Sequence, residues 1–568
     1  MQKQGSWLNV VPATPAWAAR FTRKQISIAI ASFLLISLTL LVSTSHSSTS
    51  RLTPTSSNAP DICSNARLNP HHVEAPLDPD VAAITSFWPD LKNVLVEHGT
   101  DLPILEHPAF QYVPPTPEAI ADRTDLLTPE QALLIRERHA AFIEDIPAYP
   151  SNTFKGRGIV MLAGGHYSEY AVTALGVLRE SGSTLPVEVW RRDEREEKHE
   201  WCDEIEAEGM ACRRLSDYLD TDILAIQDGK EMKIFTMLFS SFEEIVFIDA
   251  DNMALQPPEL LFESAEYKET GAVLWPDYWR YDNIDWLDYI AGISGNRSEA
   301  LWEQKTSESG QVVWNKRRHW KALLLATYYN YHGPDLYYTL LNFGWAGWGD
   351  KDTFPLALRA LHEPFYTIPH APESVWVSGR VDDRRVGMLQ MAPPSSVSQS
   401  DLAAQDDDEW EANAGRTTAF FLHATTIKWS HRDFLCVQCL PIWHTDLPSD
   451  PFFSRFESAS DELYGRLHGD LPIMDNRTLV DYAPMAGNGN GSAGLAVDVE
   501  VRLWRAMEYA ACRSKAWRHA RACEVGRRYM TETFGFTFAG EGDGRPWGVT
   551  EAQGVPSMDE KVCLLDPS

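Results

Sequence analysis

Phe242-Glu243-Glu244-Ile245-Val246-Phe247-Ile248-Asp249-Ala250-Asp251-Asn252 is the stretch on which the reading of this chain turns. The apolar run Ile245 to Ile248 has the pattern of a buried strand. It ends in two carboxylates separated by one alanine, where the strand gives way to a loop. In open α/β sheets, ligands bind outside the carboxyl ends of strands. Two hard oxygen donors at such a place suit Mg²⁺ or Mn²⁺ held jointly with phosphates. An Asp-x-Asp is also common at solvated strand ends, so its meaning depends on the surrounding chain.

Upstream, strands and helices alternate, which is the signature of a mostly parallel sheet. Gly158 to Ala163 reads as a strand, Tyr167 to Ser181 as a helix, and Leu185 to Trp190 as a strand. Arg191 to Glu208 follows as one charged helix, Ala211 to Leu215 as a strand, and Lys230 to Ser240 as the helix leading into Ile245. Downstream, Ala272 to Leu274 continues the layer. The expected fold class is therefore α/β: a mostly parallel, doubly wound sheet flanked by helices.

Several segments carry polar groups that chemistry could use. Gly164-Gly165-His166 closes the first strand and is read either as a nucleotide-contact loop or as an ordinary strand-to-helix turn; the remaining glycines of a dinucleotide fingerprint are missing. Glu308-Ser309-Gly310-Gln311 precedes the apolar Val312 to Trp314, and the Gln311 amide suits hydroxyls or a developing positive charge. Gly344-Trp345-Ala346-Gly347-Trp348-Gly349-Asp350-Lys351-Asp352 offers indoles for a sugar face. Asp350 is the candidate for acceptor hydroxyls, and Asp352 either joins it or caps the next helix. His423, ending the strand Phe420 to His423, is a candidate third metal ligand, and Lys428 a candidate for a diphosphate. Lys233 is either a nucleotide contact or a solvated helix lysine. Together these residues suit transfer from a nucleotide sugar, in which a divalent ion neutralises a departing diphosphate.

The remainder of the chain bounds the setting. With 568 residues, 44% hydrophobic and 11% aromatic, it is globular and exceeds one compact core. Lys+Arg 50 against Asp+Glu 80 gives a formal charge of −30, which argues against nucleic acid as a partner. The uncharged run Ile26 to Val42 would span about 26 Å as a helix, enough for a thin secretory membrane. Lys3, Arg20, Arg23 and Lys24 precede it, so the positive-inside rule places the N-terminus in the cytosol and the remainder in the lumen. An uncleaved anchor is expected over a cleaved signal peptide, because no clean cleavage site follows. All eight cysteines lie beyond it. In an oxidising lumen Cys436 and Cys439 are expected in structural disulfides and not at zinc, and Cys202 with Cys212 could close a short loop. Asn296, Asn476 and Asn490 begin N-glycosylation sequons.

The expected organisation is a cytosolic tail (1–25), a transmembrane anchor (26–42), and a stem with a helical segment (43–150) that packs on the catalytic domain or forms a stalk. A catalytic domain (151–440) and a C-terminal helical extension (441–568) follow. Thr128, Pro129 and Gln131 carry the signals of a capped helix. Gly379 to Gly415 reads as a loop insertion, and Ala486 to Gly494 as a linker before a basic helical tail.

Gly158-Ile-Val-Met-Leu-Ala-Gly-Gly, Ser241-Phe-Glu-Glu-Ile-Val-Phe-Ile-Asp-Ala-Asp-Asn, Gly271-Ala-Val-Leu-Trp-Pro-Asp-Tyr-Trp, Glu308-Ser-Gly-Gln, Lys316-Arg-Arg-His-Trp-Lys and Gly349-Asp-Lys-Asp-Thr-Phe occur in this order between about 155 and 435. In this the chain resembles the fungal type II Golgi α-mannosyltransferases that extend mannans on N- and O-glycans, glycosyltransferase family 71. The resemblance implies a GT-A-like fold, GDP-mannose as donor, Mn²⁺ or another divalent cation, retention of configuration, and α-1,2 or α-1,3 linkage. It further implies a mannan-type acceptor, the Golgi membrane, and a place in a Golgi glycosyltransferase complex. On this reading Asp249, Asp251 and His423 hold the metal, while Asp249, Gly164, Gly165, Lys233 and Lys428 meet the donor nucleotide. Glu308, Gln311, Asp350 and Asp352 surround the donor sugar and acceptor. A lumenal glycosidase using paired carboxylates and an inactive glycan-binding protein are the alternatives.

Overall fold

The computed structural model describes residues 79–105, 126–196, 199–219, 229–280, 286–293, 305–342, 347–377, 384–396, 419–425, 428–432, 443–444, 479–482 and 495–534. The anchor at 26–42, the three sequons, Cys63, Cys436, Cys439, Cys563 and Trp345 lie outside these residues. Among the described residues, no helix is long and apolar enough to cross a membrane.

After a single helical turn at Val81–Ile84 come α1 (Trp88–Glu97) and α2 (Pro129–Asp145). At the start of α2, Thr128 accepts from the Gln131 backbone while the Gln131 side chain accepts from the Thr128 backbone, and Pro129 takes the first position. Neither helix is a free stalk. Trp88, Leu91, Ile135 and Phe142 share one apolar cluster with Phe239, Trp320 and Tyr328 of the body, and His139 meets the Tyr329 hydroxyl at 2.7 Å.

The expected alternation follows as β1 (Arg157–Leu162), α3 (Ser168–Glu180), β2 (Val187–Arg191), α4 (His199–Ala207), β3 (Ala211–Arg214), α5 (Gly229–Phe239) and β4 (Glu244–Ile248). The single helix expected from Arg191 is broken: a 3₁₀ turn at Glu194–Glu196 precedes α4. Cys202 of α4 and Cys212 of β3 form a disulfide, closing the loop between them.

Past the Asp-x-Asp come β5 (Asn252–Ala254), β6 (Ala272–Arg280), β7 (Lys305–Asn315), α6 (Trp320–Tyr331), α7 (Thr353–Ala360) and β8 (Tyr366–Thr367). The first sheet has seven strands in the order β3-β2-β1-β4-β7-β6-β8. Four neighbouring pairs are parallel, but β7 runs antiparallel to both β4 and β6. An apolar run such as Val312 to Trp314 reads the same in either direction, so sequence could not show this reversal. Glu308 to Gln311 lie inside β7 and are not a turn before it.

A second, antiparallel sheet was not expected. Strands β9 (Glu373–Val377), β10 (Arg384–Met391), β11 (Ala419–Ala424) and β12 (Trp443–His444) join β5 in the order β12-β9-β10-β11-β5. The insertion expected over Gly379 to Gly415 therefore contains a strand, whose Met388, Leu389 and Met391 are buried. The chain leaves the first sheet at Ile248 and enters the second at Asn252, so the Asp-x-Asp is the crossover between sheets.

Strands β13 (Leu479–Tyr482) and β14 (Leu495–Asp498) pair as a hairpin around the expected linker, and helices α8 (Val499–Cys512) and α9 (Ala520–Phe534) follow. The extension is not an appendage. Leu503, Trp504 and Met507 share one apolar cluster with Ala171, Leu175 and Met253, and burying side chains such as Leu503 and Met507 contributes about 1.5–3 kcal/mol each. The expected basic patch is also corrected: Arg502 and Arg505 are buried, and Cys512 is bridged to Cys523.

Candidate active site

Strand pairing assembles the site. Antiparallel pairing sets Ile248 opposite Gln311, and the Asp249 N–H continues it by donating to the Gly310 carbonyl at 2.8 Å. On the other side β5 pairs with β11, Asn252 opposite His423, and the Ala424 N–H donates to the Asp251 carbonyl at 3.0 Å. Two ladders therefore bring Asp249, Asp251, the first half of β7 and the end of β11 together.

His423 Nε2 lies 3.2 Å from Asp251 Oδ1, and its Nδ1 lies 3.5 Å from Glu308 Oε1. Lys428 pairs with Asp251 Oδ2 and donates to the Ala424 carbonyl at 2.7 Å. Gly310 is required beneath the ring: a Cβ there would lie 2.6 Å from His423 Cε1 and 3.1 Å from Glu308 Oε1. Glu308 Oε1 accepts the N–H groups of Ser309 at 2.9 Å and Gly310 at 2.6 Å.

Lys233 ties the other flank. Its buried ammonium donates to the Ser309 carbonyl at 2.8 Å, to Ser309 Oγ at 3.0 Å and to Asp249 Oδ2 at 3.0 Å, and Asp350 Oδ2 lies 3.2 Å away. Ser309 Oγ also donates to Asp350 Oδ2 at 2.9 Å. A third lysine, Lys351, pairs with Asp352 Oδ2 at 2.8 Å and Asp277 Oδ2 at 3.5 Å.

These surroundings set the charges. Burial pushes the Asp249 carboxyl up, with Asp251 adding repulsion, and Lys233 only partly offsets this. Burial acts on Asp251 too, but His423 and Lys428 outweigh it and hold its carboxyl well below the usual range. For His423, burial opposes the charge, yet Glu308 and Asp251 raise it to about 9. Lys233 is held above its ordinary value, because Asp249 and Asp350 overcome its burial.

One donor atom each from Asp249, Asp251 and His423 lie within 4.8 Å of one another. Adjacent ligands on a small divalent ion at about 2.1 Å stand about 3 Å apart, which the 3.2 Å between Asp251 and His423 matches. Buried His423 Nδ1 makes no hydrogen bond, and Asp249 keeps a quarter of its side chain exposed. Four carboxylates (Asp249, Asp251, Glu308, Asp350) face two lysines (Lys233, Lys428) and the His423 imidazole, so negative charge remains even with His423 protonated, and a cation that displaces that proton would take its place. The donor set fits a divalent metal with one open side.

A family model described as "Mannosyltransferase putative" matches residues 156–293 and 291–385. Over these residues, under half of the chain, it is similar to that mannosyltransferase family. Among its relatives, alpha-1,2-mannosyltransferase MNN24 of Candida albicans is 32% identical over 280 residues, 43% of this chain and 40% of that protein. MNN23 of the same organism is 26% identical over 499 residues, 76% of this chain and 80% of that protein. Alpha-1,2-mannosyltransferase MNN2 of Saccharomyces cerevisiae is 30% identical over 278 residues, 43% of this chain and 47% of that protein. Apart from MNN23, the match spans about half the length of these relatives or less. Among solved structures, the galactosyltransferase LgtC with donor and acceptor sugar analogs is 10% identical, covering 37% of this chain and 72% of that one at a TM-score of 0.25. Mouse xyloside xylosyltransferase 1 is 15% identical, covering 38% and 85% at a TM-score of 0.26. Likeness at that level carries nothing about this chain's chemistry.

Within the matched residues, Asp249, Asp251, Glu308, Gln311 and Asp350 converge, and His423 and Lys428 reach them from β11 and the segment after it. Lys233 is not a solvated lysine: its buried ammonium meets Ser309, Asp249 and Asp350. Asp352 stands at the start of α7 but makes no cap bond; it accepts the Ser307 N–H at 2.8 Å and braces β7. Gly164 leaves room for the Glu196 carboxylate, which a Cβ there would strike, and Gly165 has a φ of 59°. These two glycines are thus accounted for as a strand-to-helix turn. Gln311 Oε1 accepts from Asn252 Nδ2 at 2.6 Å. Sequence reasoning missed Ser309, Gly310, Asn252, Asp277 and Lys351. The polar break at Ser309-Gly310 before an apolar run was the available signal for the first two.

Proposed function

We propose that this protein is a retaining α-mannosyltransferase of GT-A-like fold that transfers mannose from GDP-mannose to a mannose-containing glycan in the Golgi lumen. The observation that carries the reading is the Asp249–Asp251–His423 cluster at the carboxyl end of β4, whose two aspartates lie inside the stretch matched by the mannosyltransferase model. The names of the relatives favour an α-1,2 linkage. The basic residues before the apolar run at 26–42 support a type II membrane topology.

Asp249, Asp251 and His423 would hold Mn²⁺ or a similar ion, which neutralises charge on the departing diphosphate. Lys428 exchanges part of its contact with Asp251 for a phosphate oxygen. Lys233 keeps Asp249 and Asp350 aligned, so the carboxylates need not reorganise during reaction. Asp350 and Glu308 face the sugars: Asp350 orients an acceptor hydroxyl, and Glu308 supports the positive charge that builds at the anomeric carbon. The bond from that carbon to the diphosphate breaks, a bond to the acceptor oxygen forms on the same face, and the hydroxyl proton leaves with the GDP.

Purified protein is incubated with a panel of nucleotide sugars, a short mannoside and Mn²⁺, and released nucleotide is read with and without chelator. GDP released from GDP-mannose alone, and only with metal, is the expected result. Release from another donor, or undiminished release with chelator, would overturn the proposal.

A further inference from the structure

The C-terminal helices lie outside the region matched by the family model, yet they touch the crossover that carries the metal carboxylates. Arg502, buried on α8, donates from Nη1 to the Leu255 carbonyl at 2.8 Å. Leu255 follows directly on β5, and its N–H donates to the Phe420 carbonyl at 2.8 Å. The Gln256 amide donates to the Ala419 carbonyl at 2.7 Å. The segment from Asp251 to Gln256 is therefore stitched to β11 along one side and held at its far end by Arg502.

Helix α8 is itself anchored. Arg505 pairs with Glu180 of α3 at 3.2 Å, with both side chains nearly inaccessible. Glu204 of α4 accepts from Ser514 Oγ at 2.8 Å and from the Lys515 N–H at 3.2 Å, and the Cys512–Cys523 disulfide ties α8 to α9. The Arg502 charge also bears on Glu180, so one guanidinium links α3, α8 and the end of β5, and Arg holds such a fork of contacts in a fixed geometry.

We infer that Arg502 is a positioning residue for the metal site: by holding the Leu255 carbonyl it fixes where β5 ends, and hence how the segment running back to Asp251 lies against β11 and His423. The extension is thereby part of the catalytic machinery's support. This rests on the metal reading above. Groups that orient metal ligands from outside the ligand set affect affinity by about 10–100-fold, and Arg502 acts at one further remove.

The test measures Mn²⁺ Kd, from the electron paramagnetic resonance of free Mn²⁺, together with melting temperature for the full chain. Arg505→Met is the control: it damages the same helix interface at Glu180 of α3 and keeps the Arg502 bond to Leu255. The expected result is a Kd raised about 10-fold in Arg502→Met, the low end of outer-ligand effects, and recovered to within about 2-fold in Arg502→Lys. Arg505→Met lowers Tm at least as much as Arg502→Met but leaves Kd within about 2-fold of wild type. Should Arg502→Met not fold, Arg502→Gln, which keeps one donor, takes its place. An unchanged Kd in Arg502→Met while Asp251→Asn abolishes binding would refute the inference and leave the metal reading standing. An equal rise in Arg505→Met would reduce the effect to general loosening and refute it too. Failure of the wild type to bind Mn²⁺ would remove the metal reading and this inference together.

Discussion

Two carboxylate–lysine clusters stand toward the carboxyl ends of β4 and β6, and they differ in what their lysines leave over. Around Lys351, both oxygens of Asp352 are taken, one by Lys351 and one by the Ser307 N–H. Asp277 likewise accepts the Tyr278 N–H at 2.6 Å and faces Lys351. This cluster is closed, and it braces β6, β7 and the turn before α7. Around Asp249 and Asp251, Lys233 and Lys428 do not balance the carboxylates, and His423 is wedged between Asp251 and Glu308. The same residue types thus make a strut in one place and a candidate cation site in the other. The difference lies in how many donors the backbone supplies.

The largest expected contrast is in turnover. Asp251→Asn keeps shape but removes charge beside the cation, and a loss of about 10²–10⁴ is expected, or about 3–5 kcal/mol. The metal-free melting temperature should fall, because His423 and Lys428 lose the carboxylate that they hold ionised, with the relief of repulsion toward Asp249 offsetting part of the loss. Near-normal metal-dependent turnover in Asp251→Asn would erase the distinction between the clusters.

Lys351→Met should show the reverse pattern. It leaves Asp277 and Asp352 buried without their cation, which costs about 3–5 kcal/mol of stability, while Mn²⁺ affinity stays close to wild type. Its pH dependence has a definite sign. Burial raises the Asp277 carboxyl to about 6, despite the opposing pull of Lys351, so the folded state binds more protons than the unfolded one between about pH 4 and 6. Stability from this group is therefore lost as pH rises through that window. Without Lys351 the window extends upward, and the melting-temperature deficit of Lys351→Met should be smaller at pH 5 than at pH 7.5. A deficit independent of pH would show that these carboxyls are not the seat of the loss.

Two glycines offer the finest comparison. Gly310→Ala forces a methyl against the His423 ring and should weaken Mn²⁺ binding, with a stability cost of about 1–3 kcal/mol from overpacking. Gly347, at φ 98°, packs against the Lys351 side chain, so Gly347→Ala should cost about 1–3 kcal/mol through strain and spare the metal. Calorimetric melting and metal titration of both variants would sharpen or blur the line between the sites.

Local chemistry was legible in the chain. The apolar run into Asp249-Ala250-Asp251, the alternation from Gly158 to Ile248 and the capping box at Thr128 each depend on neighbours within a few residues, and each stands where it was expected, apart from the helix start placed at Arg191. Direction and partnership were not legible. Val312 to Trp314 carries no mark of running antiparallel, and Arg384-Arg385 conceals the strand that follows. Asp352 has the spacing of a helix cap and a different partner. His423 could be proposed as a ligand from its type, but its place beside Asp251 comes from β11 pairing with β5. What the sequence by itself determined is which residues could bind a cation and where the first strands lie, because burial patterns and side-chain chemistry are local. Which lysine neutralises which carboxylate was decided only by the tertiary structure, because a charge pair depends on distances that strand order and register set between residues remote in the chain.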